Sequence, residues 1–209
     1  MSASQEPSNE TTYTLCTELV FHFSLYEDRL VAHALRAETD LARVLFTRRM
    51  TMLVVQQLLN ALPRLTDLGQ TPADYWQETL RMNHERAMRA RSAEKPSAAA
   101  QKQDAAEKDT ATVHSVPDTP VFLATELTLK HDNKQLILAF RGLPMPQAMT
   151  QPSASVPLFA IPLQADHVHQ LIELLIVKAR DAHWHLPVEL PWLEPLKSPE
   201  GSGHRFLLH

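Results

Sequence analysis

Only four glycines and one cysteine occur in these 209 residues, and each scarcity excludes something. A lone thiol, Cys16, has no partner for an internal disulfide, which fits a reducing compartment. So few glycines leave no glycine-rich loop to cradle a nucleotide phosphate, and no nucleophile elbow, HExxH or paired CxxC motif is present. No apolar run approaches the ~18 residues of a membrane span. The opening MSASQEPSNETT is polar and lacks the apolar centre of a signal peptide. A net charge of −4 argues against a dedicated nucleic-acid binder. The expectation is a cytoplasmic protein with no cofactor, no metal and no membrane contact, and with no motif that names a reaction.

What is present is a repeat. Residues 45–65, LFTRRMTMLVVQQLLNALPRL, read in register with residues 163–183, LQADHVHQLIELLIVKARDAH. Leu45 falls on Leu163, Met50 on Val168, Leu53 on Leu171, Val54 on Ile172, Leu58 on Ile176 and Ala61 on Ala179. Upstream of each helix a second match occurs, Leu15-Cys16-Thr17-Glu18-Leu19 against Leu123-Ala124-Thr125-Glu126-Leu127.

Strict alternation over residues 13–24 predicts a half-buried strand with Leu15, Thr17, Leu19, Phe21 and Phe23 on one face. Residues 29–36 return as its hairpin partner, and residues 41–46 make a third strand. Thr47 caps the helix that follows, and Pro63 ends it near Leu62. The second half repeats the order. Leu123, Thr125, Leu127 and Leu129 are expected inward, residues 135–141 return, a proline-rich loop covers 142–155, and residues 156–163 form an edge strand because prolines remove ladder donors. Asp166 is the expected cap of the second helix.

The predicted fold class is therefore α+β, a tandem duplication of a β-β-β-α unit with antiparallel strands packed on two long helices. The first unit occupies 13–66 and the second 118–185. The remaining segments are a disordered tail at 1–12, an added polar helix at 71–91, a disordered linker rich in Ala, Lys and Glu at 92–117 whose start can be helical, and a proline-rich extension at 186–209 that takes an extended path along the domain. Both long helices carry apolar residues around more than one face, so each needs cover from the rest of the chain or from a second copy.

Candidate site residues are arginines, since all ten basic residues before Ser92 are arginines and all seven lysines follow it. Arg48 and Arg49 lie in the first turn of a helix, where cations oppose the macrodipole, so they are candidates for holding an anion. Arg81, Arg86, Arg89 and Arg91 crowd the end of the added helix and form a second basic group. Glu18 and Glu126, related by the repeat, would make an acid/base pair only if the fold joined them. His167 and His169 lie two apart on a helix, point in different directions and cannot easily share an ion.

In outline the tandem arrangement resembles PUR-repeat and Whirly-type proteins, and that resemblance implies binding of single-stranded nucleic acid on a sheet face. Here the outward strand positions, Glu18, His22, Glu126, Thr128 and Lys130, lack stacking aromatics and dense positive charge. The leading expectation is a non-enzymatic interaction protein, an adaptor or assembly factor. It would bind a protein partner, itself as a homodimer through the helix faces, or both. A nucleic-acid module using the arginines is the alternative.

Overall fold

The computed structural model describes residues 12–37, 40–66, 68, 71–94, 119–132, 135–187 and 205–207. Most of the tail, the linker beyond Glu94 and most of the C-terminal extension lie outside the described residues. The chain is a mixed α+β structure. In order it runs β1 (Cys16–Ser24), β2 (Arg29–Arg36), β3 (Asp40–Phe46), α1 (Arg48–Leu65), α2 (Trp76–Glu94), β4 (Val121–Asp132), β5 (Gln135–Met145), β6 (Val156–Leu163), α3 (Ala165–Asp181) and β7 (Arg205–Leu207).

One sheet takes the strands in the order β6-β5-β4-β3-β2-β1-β7. All pairs are antiparallel except β3 with β4, which run parallel over three residue pairs. The sheet curls until β6 meets the start of β1. There Leu15 bridges Ala160 in parallel, and the Ala160 N–H donates to the Thr14 carbonyl at 2.9 Å. At the other junction the Arg43 N–H donates to the Pro120 carbonyl at 3.0 Å. Arg36 braces the β1–β6 junction, its Nη1 donating to the Leu158 carbonyl at 3.2 Å while its Nη2 pairs with Asp40 at 2.9 Å.

The strand faces depart from simple alternation at a bulge in β1 and another in β4, for the same reason, and a third register shift lies between Phe140 and Arg141 where β5 pairs with β6. A bulge lies between Cys16 and Glu18 in β1 and between Ala124 and Glu126 in β4. The extra residue turns every side chain before it to the opposite face. Cys16 and Ala124 are therefore buried, whereas Leu15 and Leu123, expected inward, are not. The bulged residues Thr17 and Thr125 do not point into the core either. Their hydroxyls donate to the carbonyls of Leu35 and Arg141 on the neighbouring strands, at 3.3 and 3.5 Å.

Beyond the bulges the expected faces hold. Leu19, Phe21, Leu30, Ala32, Val44, Phe46, Leu138 and Phe140 form one buried cluster with α1 and α3. Its aromatic spine runs Phe21–Phe46–Phe140–Phe159 with ring centroids 5.6, 5.2 and 5.1 Å apart. α1 and α3 pack on each other and on the strands. Much of the helix surface expected to join two copies is thus covered from within, while Leu53 of α1 stays 36% exposed. Val54, Val55, Leu58 and Leu62 of α1 are buried, as is an unbroken run of α3 over residues 168–175.

Helix ends follow local chemistry with two corrections. Thr47 caps α1 as expected, accepting from the Met50 N–H at 3.2 Å. Pro63, however, lies inside the last turn, which is closed by the Thr66 N–H and hydroxyl on the Leu62 carbonyl at 3.0 and 2.7 Å. The cap of α3 is Gln164 and not Asp166, with the His167 Nδ1 reaching back to the Gln164 N–H at 3.5 Å. Placed by these caps, the helices line up one residue from the register read in the sequence, with Leu58 opposite Leu175 and Leu62 opposite Ala179.

Glycine is absent where α3 stops. His183 takes the left-handed position at φ 56 while its N–H donates to the Arg180 carbonyl and that of Trp184 to the Ala179 carbonyl. Trp184 then packs edge-on to Phe23 and donates Nε1–H to Asp28 at 2.8 Å, fixing the helix end to the β1–β2 hairpin.

One further element differs from expectation, and two others agree with it. The segment read as a proline-rich loop is largely ordered, because β5 continues to Met145 and a 3-10 turn covers Gln147–Met149. The added helix runs through Ser92 to Glu94 and so takes in the start of the expected linker. The expected extension contributes β7 to the β1 edge.

Candidate functional site

The arginines occupy two separate places. Arg48 and Arg49 open α1, where the Arg48 Nη2 donates to the His185 carbonyl at 2.6 Å and Arg49 is exposed. The other four lie on α2, which packs chiefly on α3. Arg81 pairs with Glu78 at 2.6 Å and lies 3.8 Å from Glu85, while Arg89 takes Glu85 at 3.1 Å and Arg86 crosses to Asp166 at 3.0 Å. The Arg81 hydrogen bond holds the Glu78 carboxyl below the usual range. Arg91 is half-buried, and burial lowers its pKa against the opposing pull of Glu173. The basic group expected on α2 is thus largely met by carboxylates.

The added helix was expected to be polar, yet on its inner face Leu80, His84 and Ala87 are buried against α3. Facing them are His169, Gln170 and Glu173, all less than 7% exposed. Gln170 donates its amide to the Ala87 carbonyl at 3.1 Å. His84 Nε2 stands 3.6 Å from the Glu173 carboxylate, and the His84 and His169 rings meet edge-on at 5.7 Å.

Among the described residues neither ring nitrogen of His169 has a hydrogen-bond partner. Burial, then the neighbouring His84, pushes its pKa down to about 4; burial lowers His84 and raises Glu173. The cluster is an enclosed polar seam by which α2 docks on α3. The sequence showed His169 only as one of two helical histidines that cannot share an ion, and did not single out His84, Gln170 or Glu173. The signal available was spacing, since Leu80, His84 and Ala87 recur at i, i+4 and i+7 on one helix face.

On the outer face of the sheet the bulge of β4 has a different result. It turns Leu123 outward, in line across the strands with Leu45 of β3 and Leu143 of β5. These leucines, with Met145 and Met149, line an open groove of about 560 Å³ whose charged wall residues are Glu27 and Arg29. Met149 is 73% exposed, and the β1–β2 turn presents Leu25 and Tyr26 almost wholly to solvent. A groove this apolar, with only two charged groups, suits contact with another apolar surface.

The other sequence candidates remain apart. β2 and β3 stand between Glu18 and Glu126 in the sheet, and Glu126 instead faces Arg141 at 3.5 Å. Among the described residues no three His, Cys, Asp or Glu side chains are grouped to hold a metal. No helix among them is long and apolar enough to cross a membrane. Cys16 is buried with its thiol pKa raised to about 12, chiefly by desolvation, and donates to the Glu18 carbonyl at 3.1 Å.

The fold therefore defines a mixed α+β chain with an enclosed core, a polar helix–helix seam and one apolar outer groove. No family model matches the chain, and comparison with curated proteins and with solved structures finds no match.

Proposed function

We propose that the chain is a non-enzymatic interaction protein that self-associates through the outer face of its sheet, and that its two halves are copies of one β-β-β-α unit. The duplication is supported by the shared order of elements and by the two bulges, each with a threonine hydroxyl on the adjacent strand. The observation that carries the functional reading is the row Leu45–Leu123–Leu143 on the outer face of the sheet, buried at Leu45, half-buried at Leu123 and Leu143, and continued by Met145 and the exposed Met149. Methionine adapts its shape to an apolar partner, so these two residues suit a contact surface.

A second copy of the chain is the favoured occupant, because Glu27 and Arg29 lie together in the groove wall. In a twofold interface each residue of such a pair meets the other's counterpart, so opposite charges side by side are self-complementary. The nucleic-acid alternative gains nothing from the geometry, since Arg81, Arg86 and Arg89 already face carboxylates.

Sedimentation velocity tests the reading. The protein should run as a dimer at micromolar concentration, M149D as a monomer, E27R more weakly associated, and E27R with R29E restored. A wild-type monomer, or a dimer indifferent to all three variants, overturns it.

A further inference from the structure

One wall of the groove rises into a knob. The charged wall residues Glu27 and Arg29 belong to the β1–β2 hairpin, and the two residues ahead of Glu27 are Leu25 and Tyr26. Leu25 is 83% exposed and Tyr26 wholly so, more than any other large apolar side chain among the described residues. A single exposed apolar residue is ordinary, but two in succession at the rim of an open apolar groove extend one patch.

The knob does not enter its own groove. Ser24 pairs with Arg29, so the turn has only four residues, 25–28, too few to fold back over the wall. Its far end is also tied down. Asp28 takes the left-handed conformation at φ 48, its carboxylate accepts from Trp184 Nε1 at 2.8 Å, and Trp184 packs edge-on to Phe23 of β1. Leu25 and Tyr26 are thereby held outward, and a knob fixed in advance has less freedom to lose on binding. β3 and β4 run between this hairpin and the Gln147–Met149 turn, so the groove has Tyr26 at one side and Met149 at the other. Its volume of about 560 Å³ takes an aromatic and an aliphatic side chain together.

We propose that Leu25 and Tyr26 of each copy enter the groove of the other, against Leu123, Leu143 and Met149. The exchange rests on the self-association reading and names what fills the groove. Knob and groove are neighbours on one chain, so a single twofold axis makes both contacts at one interface and closes the assembly at two copies. The same axis brings Glu27 of one copy to Arg29 of the other, because both residues stand beside the knob. Tyrosine suits the place, since it buries a large ring while fixing only two rotatable bonds and keeps its hydroxyl at the wet mouth of an open groove.

Complementation of two variants tests the exchange on the full chain. L25S with Y26S removes the knob, and M149D spoils the groove. All three positions are exposed, so both variants should keep the circular dichroism of the wild type. Each alone should dimerise about tenfold or more weakly, as loss of a buried anchor does. Mixed, they should associate more tightly than either does alone, because the knob of the M149D chain meets an intact groove in the other. A photoreactive benzophenone amino acid in place of Tyr26 should cross-link to residues 143–149 of a second, isotopically labelled copy. A wild-type monomer overturns the self-association reading and the exchange together. A dimer indifferent to L25S with Y26S, a mixture no tighter than its components, cross-links outside residues 143–149, or open-ended polymers overturn the exchange alone.

Discussion

Replacing His169 by leucine should stabilise the protein, and should do so more in acid than at neutral pH. His169 is 1% exposed, and neither ring nitrogen has a hydrogen-bond partner among the described residues. A buried polar group without partners costs about 1–3 kcal/mol, a cost that leucine does not carry. The pH dependence follows from the imidazole. Its folded pKa, about 4, lies below the ordinary 6.5, so between these values the unfolded chain binds more protons than the folded one.

The penalty for holding the imidazole uncharged is therefore negligible well above 6.5 and grows as the pH falls toward 4, so the folded state loses stability over that range. By linkage, going from about pH 7 to about pH 5 removes roughly 2 kcal/mol through this residue alone. His84, lowered by burial, acts in the same direction. Glu173, raised by burial, opposes both, because its folded form holds its proton to higher pH. Urea denaturation of wild type and H169L near the two pH values measures the difference, which should widen by roughly 2 kcal/mol on acidification. If both proteins lose the same stability between them, or if H169L is the weaker at both, the reading of His169 as a buried, unpartnered imidazole is wrong.

Gly142 lies opposite Ala124 in β5, and a Cβ there would press on the Leu123 carbonyl oxygen and come within 2.8 Å of Leu158 Cδ1. G142A should therefore cost about 1–3 kcal/mol in a denaturant titration, and an unchanged midpoint would show that the two strands do not approach so closely. T47A should cost about 1 kcal/mol, since it removes the acceptor for the Met50 N–H and leaves α1 uncapped. Cys16, buried and with its thiol raised to about 12, should resist a thiol-specific reagent at neutral pH until the protein is unfolded. Rapid labelling of the native protein would place it in an open site instead.

Much of the local structure was legible because it depends on neighbours in the chain. Alternation along β1 and β2, helical spacing in α1 and α3, and the oxygen of Thr47 ahead of an apolar run all act within a few residues. A bulge is also local in extent, but it is set by how two strands pair, and the pattern LCTEL reads equally well in either phase. The faces of Leu15, Cys16, Leu123 and Ala124 were accordingly misassigned, while residues beyond the bulges were placed correctly.

The sequence by itself determined the α+β class, the order of the elements and most of the core, because burying apolar side chains demands a period that each element shows along its own length. Tertiary structure alone decided the parallel β3–β4 junction, the meeting of β1 with β6, and the cover that α1 and α3 give each other. It also decided which polar residues are enclosed. Arg49 in the first turn of α1 is exposed while His169, one turn into α3, is buried against α2, because what lies across from a side chain is set by segments distant in the chain. For the same reason the carboxylates facing Arg86 and Arg89 could not be foreseen as a set. Glu85 sits one helical turn from Arg89, but Asp166 reaches Arg86 only once α2 has docked on α3.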